Sequence, residues 1–224
     1  MQRSFLPAAL VVCALGAVPA WAAPGDADAE DRGVEYLKQG KIAQAIEELQ
    51  KTVEQNPKDA AGRMNLAYAY ERAGRLDEAI YHYEKVLALK PEDAVARNNL
   101  GVLYSRTGRY DQATRELEAA IATDPASPTA PKNLETAKKN QAALQERERQ
   151  LANAKKSVEA QPQSPGASYN LARTYAFYGE KEQAIQWLGK ALQLGFNDFG
   201  YLKIDAALEN LRDDPGYQRL LAGR

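Results

Sequence analysis

The chain has 224 residues, with 29 lysines and arginines against 30 aspartates and glutamates, one histidine and one cysteine. So even a balance gives no footing for nucleic acid, whose affinity rests on clustered cations. One histidine and one cysteine cannot by themselves build a zinc site, which takes three or four protein ligands.

Residues 1–22 read as an export signal: a basic start at Arg3, an apolar run from Phe5 to Val18, and small residues at Ala20 and Ala22 around Trp21. The run is shorter than the roughly 20 residues a spanning helix needs. Cys13 follows Val12 rather than a small residue, so lipidation is not expected. Cleavage near Ala23 removes Cys13 and leaves a mature chain without cysteine, indifferent to redox state. Residues 23–27 read as a linker. The expected location is the periplasm, with secretion or tethering by an uncleaved signal as the alternative. No stable membrane insertion is expected after cleavage.

Residues 28–126 hold three copies of one pattern. Pro57, Pro91 and Pro125 are 34 residues apart and close three segments of identical layout. Each has a first helical stretch (Gly33 and Tyr36; Leu66, Ala67 and Tyr70; Leu100, Gly101 and Tyr104). A glycine follows (Gly40, Gly74, Gly108), placed where a helix end takes a left-handed residue. Then comes a second stretch (Ala45, Leu49, Val53; Ala79, Tyr83, Val86; Ala113, Leu117, Ala120). Gly33, Ala67 and Gly101 opposite Ala45, Ala79 and Ala113 remove bulk where paired helices approach. The three tyrosines supply area with a hydroxyl that can stay near water.

This layout resembles the tetratricopeptide repeat, a 34-residue helix–turn–helix unit. The resemblance implies an all-α, right-handed solenoid that presents a concave groove to a protein partner. Residues 164–196 carry a further copy, with Leu171, Ala172, Tyr175, Gly179, Ala184 and Leu188, but Phe196 stands where proline is expected. Between them, residues 127–163 form a degenerate repeat. Lys132 to Gln161 contains neither glycine nor proline, and Ala137, Leu144, Leu151 and Val158 recur every seven residues. That predicts one long helix, or two joined by a weak bend, as a spacer. In residues 197–224, Phe199–Ile204 reads as a partial turn, Asp205 caps a helix to Arg212, and Asp214-Pro215 opens another to Leu221. These segments are expected to cap the last repeat.

No constellation points to catalysis. His82 lies between Tyr81 and Tyr83 without a nucleophile motif, and Glu47-Glu48 and Asp213-Asp214 read as solvated faces. There is no phosphate loop or dinucleotide fingerprint. The chain is not expected to be an enzyme or to need a metal or cofactor.

Two rows of residues suggest binding instead. Asn65, Asn99, Asn133 and Asn170 each precede the leucine of a first helix, with Asp31 in that place in the first repeat. Seven residues on, along the same helix face, stand Lys38, Arg72 and Arg106; the row stops there, at Asn140 and Phe177. The asparagines could bond across neighbouring helices, and the cations could serve their helix dipoles. The resemblance implies a different use, since asparagines on this face in such proteins contact a bound peptide's backbone. The expected partner is then a protein or peptide, acidic or with a free carboxylate. The alternative is a self-associating component of a pilus, secretion, outer-membrane or cytochrome-maturation assembly, paired with its copy through the spacer's apolar seam or an exposed repeat face.

Overall fold

The computed structural model describes residues 27–222, all of whose regular elements are helical. The expected export signal lies outside the described residues. No described helix is long and apolar enough to cross a membrane. The described residues divide into two compact units, the first ending at Pro131 and the second beginning at Lys132.

The N-terminal unit contains three hairpins: α1 (Ala27–Lys38) with α2 (Ile42–Gln55), α3 (Ala60–Arg72) with α4 (Leu76–Leu89), and α5 (Ala94–Arg106) with α6 (Tyr110–Thr123). Acidic residues start the inner first helices: Asp59 accepts from the amides of Ala61 and Gly62, and Asp93 from that of Ala96. They end at Gly74 and Gly108, both at φ 76°, a backbone that residues with a Cβ rarely adopt. The amide that follows each glycine, Arg75 or Arg109, donates back to the Tyr70 or Tyr104 carbonyl at 2.9 and 2.8 Å, so the reversal is closed by hydrogen bonds.

Close crossing then fixes each hairpin. A Cβ added to Gly33 would lie 2.6 Å from Cγ of Leu49; one added to Gly101 would lie 2.6 Å from Cγ of Leu117 and 3.2 Å from the Ala113 carbonyl. Ala45, Ala79 and Ala113 are fully buried opposite. The small residues therefore act as expected. The tyrosine hydroxyls do more than reach water: Gln50 of α2 donates to Tyr70 (2.8 Å), and Tyr104 donates to Glu84 of α4 (2.6 Å). Each such bond ties a first helix to the second helix of the preceding repeat.

The C-terminal unit is built on α7 (Ala130–Ala160), whose first two residues belong to the N-terminal unit, and the hairpin of α8 (Pro165–Phe177) with α9 (Lys181–Gln193). The spacer is thus one helix of 31 residues, without a bend into two. Leu151, Ala154 and Val158 near its end pack on the core of Leu171, Ala172, Leu188 and Leu192. Two members of the apolar seam are therefore used within the unit. Leu144 is 36% exposed.

Phe196 takes the proline's place and stacks on Tyr169 with centroids 4.3 Å apart. A short α10 (Phe199–Ile204) follows, then a 3-10 segment (Ala206–Leu211) and α11 (Pro215–Leu221). The helix expected from Asp205 to Arg212 is this shorter 3-10 segment. Its capping carboxylate does more than cap. Asp205 accepts from the Ala207 amide (3.0 Å), the Tyr169 hydroxyl (2.5 Å) and Nε of Arg173 (2.5 Å), while Leu202, Leu208 and Leu211 beside it are fully buried.

Two outcomes follow from these contacts. Gly101→Ala should destabilise the protein by about 1–3 kcal/mol, because the overpacking exceeds the gain in helix propensity; urea unfolding followed by circular dichroism measures it. Burial raises the Asp205 carboxyl, but the bonds from Tyr169, the Ala207 amide and Arg173 outweigh it and hold the group below the ordinary carboxylate range. A depressed carboxylate contributes stability that is complete above the unfolded value, about 4, and is lost as pH falls through the lower folded value. Asp205→Asn should lower the unfolding midpoint at pH 7 and remove that part of the acid-induced loss.

Candidate functional site

The first helices of the N-terminal unit are tied edge to edge by polar bonds. Asn65 of α3 donates to Glu30 of α1 (2.9 Å), and Arg106 of α5 pairs with Glu71 of α3 (2.9 Å). With their spacing of three and four residues, α1, α3 and α5 each place an amide or acid, an apolar group and a cation along one face. The rows run Asp31, Asn65, Asn99; then Val34, Tyr68, Val102; then Lys38, Arg72, Arg106. Val34, Tyr68 and Val102 are half-buried, and Val95 at the start of α5 is 44% exposed. The middle row had its own signal in the sequence, the same 34-residue interval, but apolar residues on a helix read first as core.

The amides are partly engaged. Asn65 is buried and spends a hydrogen on Glu30; Asn99 is half-buried, donates to the Tyr83 hydroxyl (3.3 Å), and accepts from Asn98 (3.3 Å). Asn133 and Asn170 belong to the C-terminal unit, half-buried on α7 and exposed on α8 respectively. The structure thus brings Asn65 and Asn99 onto one face within one unit, and holds the other two on α7 and α8 of the second.

The cations differ among themselves. Lys38 lies 3.9 Å from Glu35, both more than half exposed, a pairing that solvent largely screens. Arg106 is matched by Glu71, whose carboxyl is raised by burial more than Arg106 and Arg72 lower it. Arg72 forms no ion pair among the described residues. Its guanidinium donates to the Tyr68 hydroxyl (3.1 Å) and stands 5.8 Å from that ring's centroid. Glu30 is likewise raised, by burial first and then by the negative charge of Asp59, against the bond from Asn65.

His82 stacks on Tyr70 (centroids 5.5 Å apart) and meets Tyr81 edge-on (5.1 Å), and its Nδ1 is buried without a hydrogen-bond partner. That is a packing role. Among the described residues, no group of three histidines, cysteines or carboxylates converges to hold a metal.

Models of the tetratricopeptide repeat match residues 30–94, 72–138 and 165–196, together more than half of the sequence. The chain belongs to the tetratricopeptide repeat family. No curated protein matches it in sequence. Similar solved structures include the crystal structure of MamA, 21% identical, covering 72% of this chain and 93% of that one at a TM-score of 0.47. Another is the first tetratricopeptide repeat domain of Spaghetti (RPAP3) bound to the HSP90 peptide SRMEEVD, 23% identical, covering 51% and 90% at 0.50. A third is the second such domain of human RPAP3 in complex with an HSP70 peptide, 24% identical, covering 49% and 92% at 0.48. At these identities the likeness is one of fold alone, and the Spaghetti (RPAP3) domain's agrees with the helical hairpins described above.

One pH effect follows from the histidine. Burial, with Arg63 adding to it against Glu78, lowers the His82 imidazole to about 4. An unfolded histidine takes its proton near pH 6.5. Between those values the unfolded chain binds more protons, so stability falls as pH drops through that window. His82→Phe keeps a stacked ring and removes the proton site. The difference in unfolding midpoint between wild type and variant should therefore change across pH 6.5 to about 4 and be flat above it.

Proposed function

We propose that this tetratricopeptide repeat protein is a non-catalytic scaffold of a bacterial envelope, holding a peptide segment of a partner protein against the first-helix face of its N-terminal unit. The observation that carries this reading is the threefold recurrence of an amide or acid, an apolar group and a cation on α1, α3 and α5. A stacked-repeat surface repeats its chemistry at the spacing of its helices, which suits a long guest and not a compact substrate.

Asn65 and Asn99 supply the amides of this face; Asn133 and Asn170 are candidate contacts of the C-terminal unit by itself. An amide side chain both donates and accepts, so a bonded hydrogen leaves capacity for a guest's backbone. Lys38, Arg72 and Arg106 give that edge of the face a positive character and favour an acidic segment. The Spaghetti (RPAP3) domain of similar fold was solved with an acidic peptide bound, which supports peptide capture by this architecture. The leader-like residues 1–22 support a periplasmic location.

The test uses intact cells. A photoreactive residue placed at Val102, on the proposed face, should crosslink a partner that mass spectrometry identifies. The same residue placed at Arg115, exposed on α6, should yield several-fold less. The protein should appear in the periplasmic fraction with its leader removed. Equal yields from the two positions, or none from Val102, would remove the groove from the account; a cytoplasmic protein with an intact leader would remove the location.

A further inference from the structure

A half-buried acid on the proposed face governs its grip on an acidic segment, an inference that rests on the scaffold reading above. Arg72 and Arg106 hold the same place on α3 and α5, yet their surroundings differ. Arg72 is exposed, lies against Tyr68 and forms no ion pair among the described residues. Arg106 donates to Glu71 at 2.9 Å, and its side chain is 42% exposed where that of the glutamate is 22% exposed. The cation of this pair reaches solvent and the anion largely does not.

A carboxylate in that position works against the face. It neutralises Arg106, and its own charge repels any acid that approaches Arg72. Arg72 also acts on Glu71, alongside Arg106. One internal anion thus already faces two guanidiniums, and an acidic guest must compete with it.

The internal anion can be removed by a proton. Burial raises the Glu71 carboxyl more than Arg106 and Arg72 lower it, so it stands above the ordinary glutamate value of about 4.3. The other groups that bear on Glu71 do not titrate with it. The two guanidiniums stay charged throughout. The Tyr83 hydroxyl of α4, pushed up by burial and then by the charge of Glu71, stays neutral. From α1 and α2, which also pack on α3, no charged group among the described residues acts on Glu71. An anion placed beside Arg72 and Arg106 favours the protonated form of Glu71. By reciprocity, the protonated form holds that anion more tightly. Affinity therefore rises as pH falls toward the Glu71 value and is flat well above it.

We propose that Glu71 is a proton-operated latch on Arg106: charged, it holds the guanidinium and repels an acidic guest; protonated, it releases Arg106 to join Arg72 in binding one. Fluorescence anisotropy with the full mature chain tests it. The probe is a labelled glycine–serine peptide carrying adjacent cysteic acids, whose sulfonates keep their charge across the range. Wild type should bind it about three- to five-fold more tightly at pH 5 than at pH 7. Glu71→Gln, which cannot ionise, should bind at pH 7 as tightly as wild type does at pH 5, with little further gain on acidification. Adding Arg106→Gln to Glu71→Gln should remove most of that gain. Calorimetry in two buffers of different protonation heat needs no variant: wild type at pH 5 should take up a fraction of a proton per peptide bound. Equal affinity at the two pH values, no proton uptake, or a pH response that Glu71→Gln retains would overturn the latch. So would the absence of saturable binding to both wild type and Glu71→Gln. A partner crosslinked from position 102 in cells would then leave the scaffold reading standing.

Discussion

The N-terminal unit depends on helix crossings so close that the first helix has room for no side chain in two hairpins and only for the methyl of Ala67 in the third. At Gly33 and Gly101 even a methyl group would overlap the leucine of the second helix. That crossing requires the chain to reverse in two or three residues, which the left-handed glycines at 40, 74 and 108 allow. Once both conditions recur at a fixed interval, every other residue recurs in space at the same interval. The rows on α1, α3 and α5 follow from packing that lies behind them.

Polar bonds between repeats come from residues one would assign to other tasks. Tyr70 and Tyr104 bury their rings and use their hydroxyls to hold the second helix of the preceding repeat. Arg75 and Arg109, which follow the turn glycines, lie over the same rings at 4.6 and 5.9 Å. Asn65 and Arg106 bridge first helix to first helix. A surface residue of a stacked array thus has two possible employers, its neighbour and a guest. Asn65, buried at Glu30, belongs more to the first, and Arg72, exposed against Tyr68, more to the second.

What was legible in the sequence was whatever repeated. Helix pairs, glycine turns and small crossing residues announce themselves three times over. The compensation of Arg106 did not, because Glu71 lies 35 positions earlier and meets it only when the helices stack. The row of Val34, Tyr68 and Val102 repeated as faithfully as the rest but was masked by its chemistry, since helical apolar residues ordinarily belong to a core. In the cap, Asp205 was visible as a helix start. Its bonds to Tyr169 and Arg173 are long-range pairings that occur once and leave no periodic trace.

The long helix α7 shows the same rule by its breach. Its register counterpart to Gly108 is Ala142, so the residue that would turn the chain is a strong helix former. Its end keeps the ordinary pattern: the Ser164 amide donates to the Gln161 carbonyl, as Asp59 does to Asn56 and Asp93 to Lys90. Between those points Ala142, Ala143, Leu144 and Gln145 are all exposed, and four consecutive residues cover the helix all round. No buried face supports these four residues, and the stretch stands on propensity, on local pairs such as Glu146 with Arg149 (2.7 Å) and with Gln150 (2.6 Å), and on Arg147, which pairs with Glu180 and lies 5.8 Å from the Tyr178 ring centroid. A repeat that loses its glycine therefore need not lose its helices. It loses the reversal, and two short helices become one whose middle is held by its own turns and by the pair of Arg147 with Glu180.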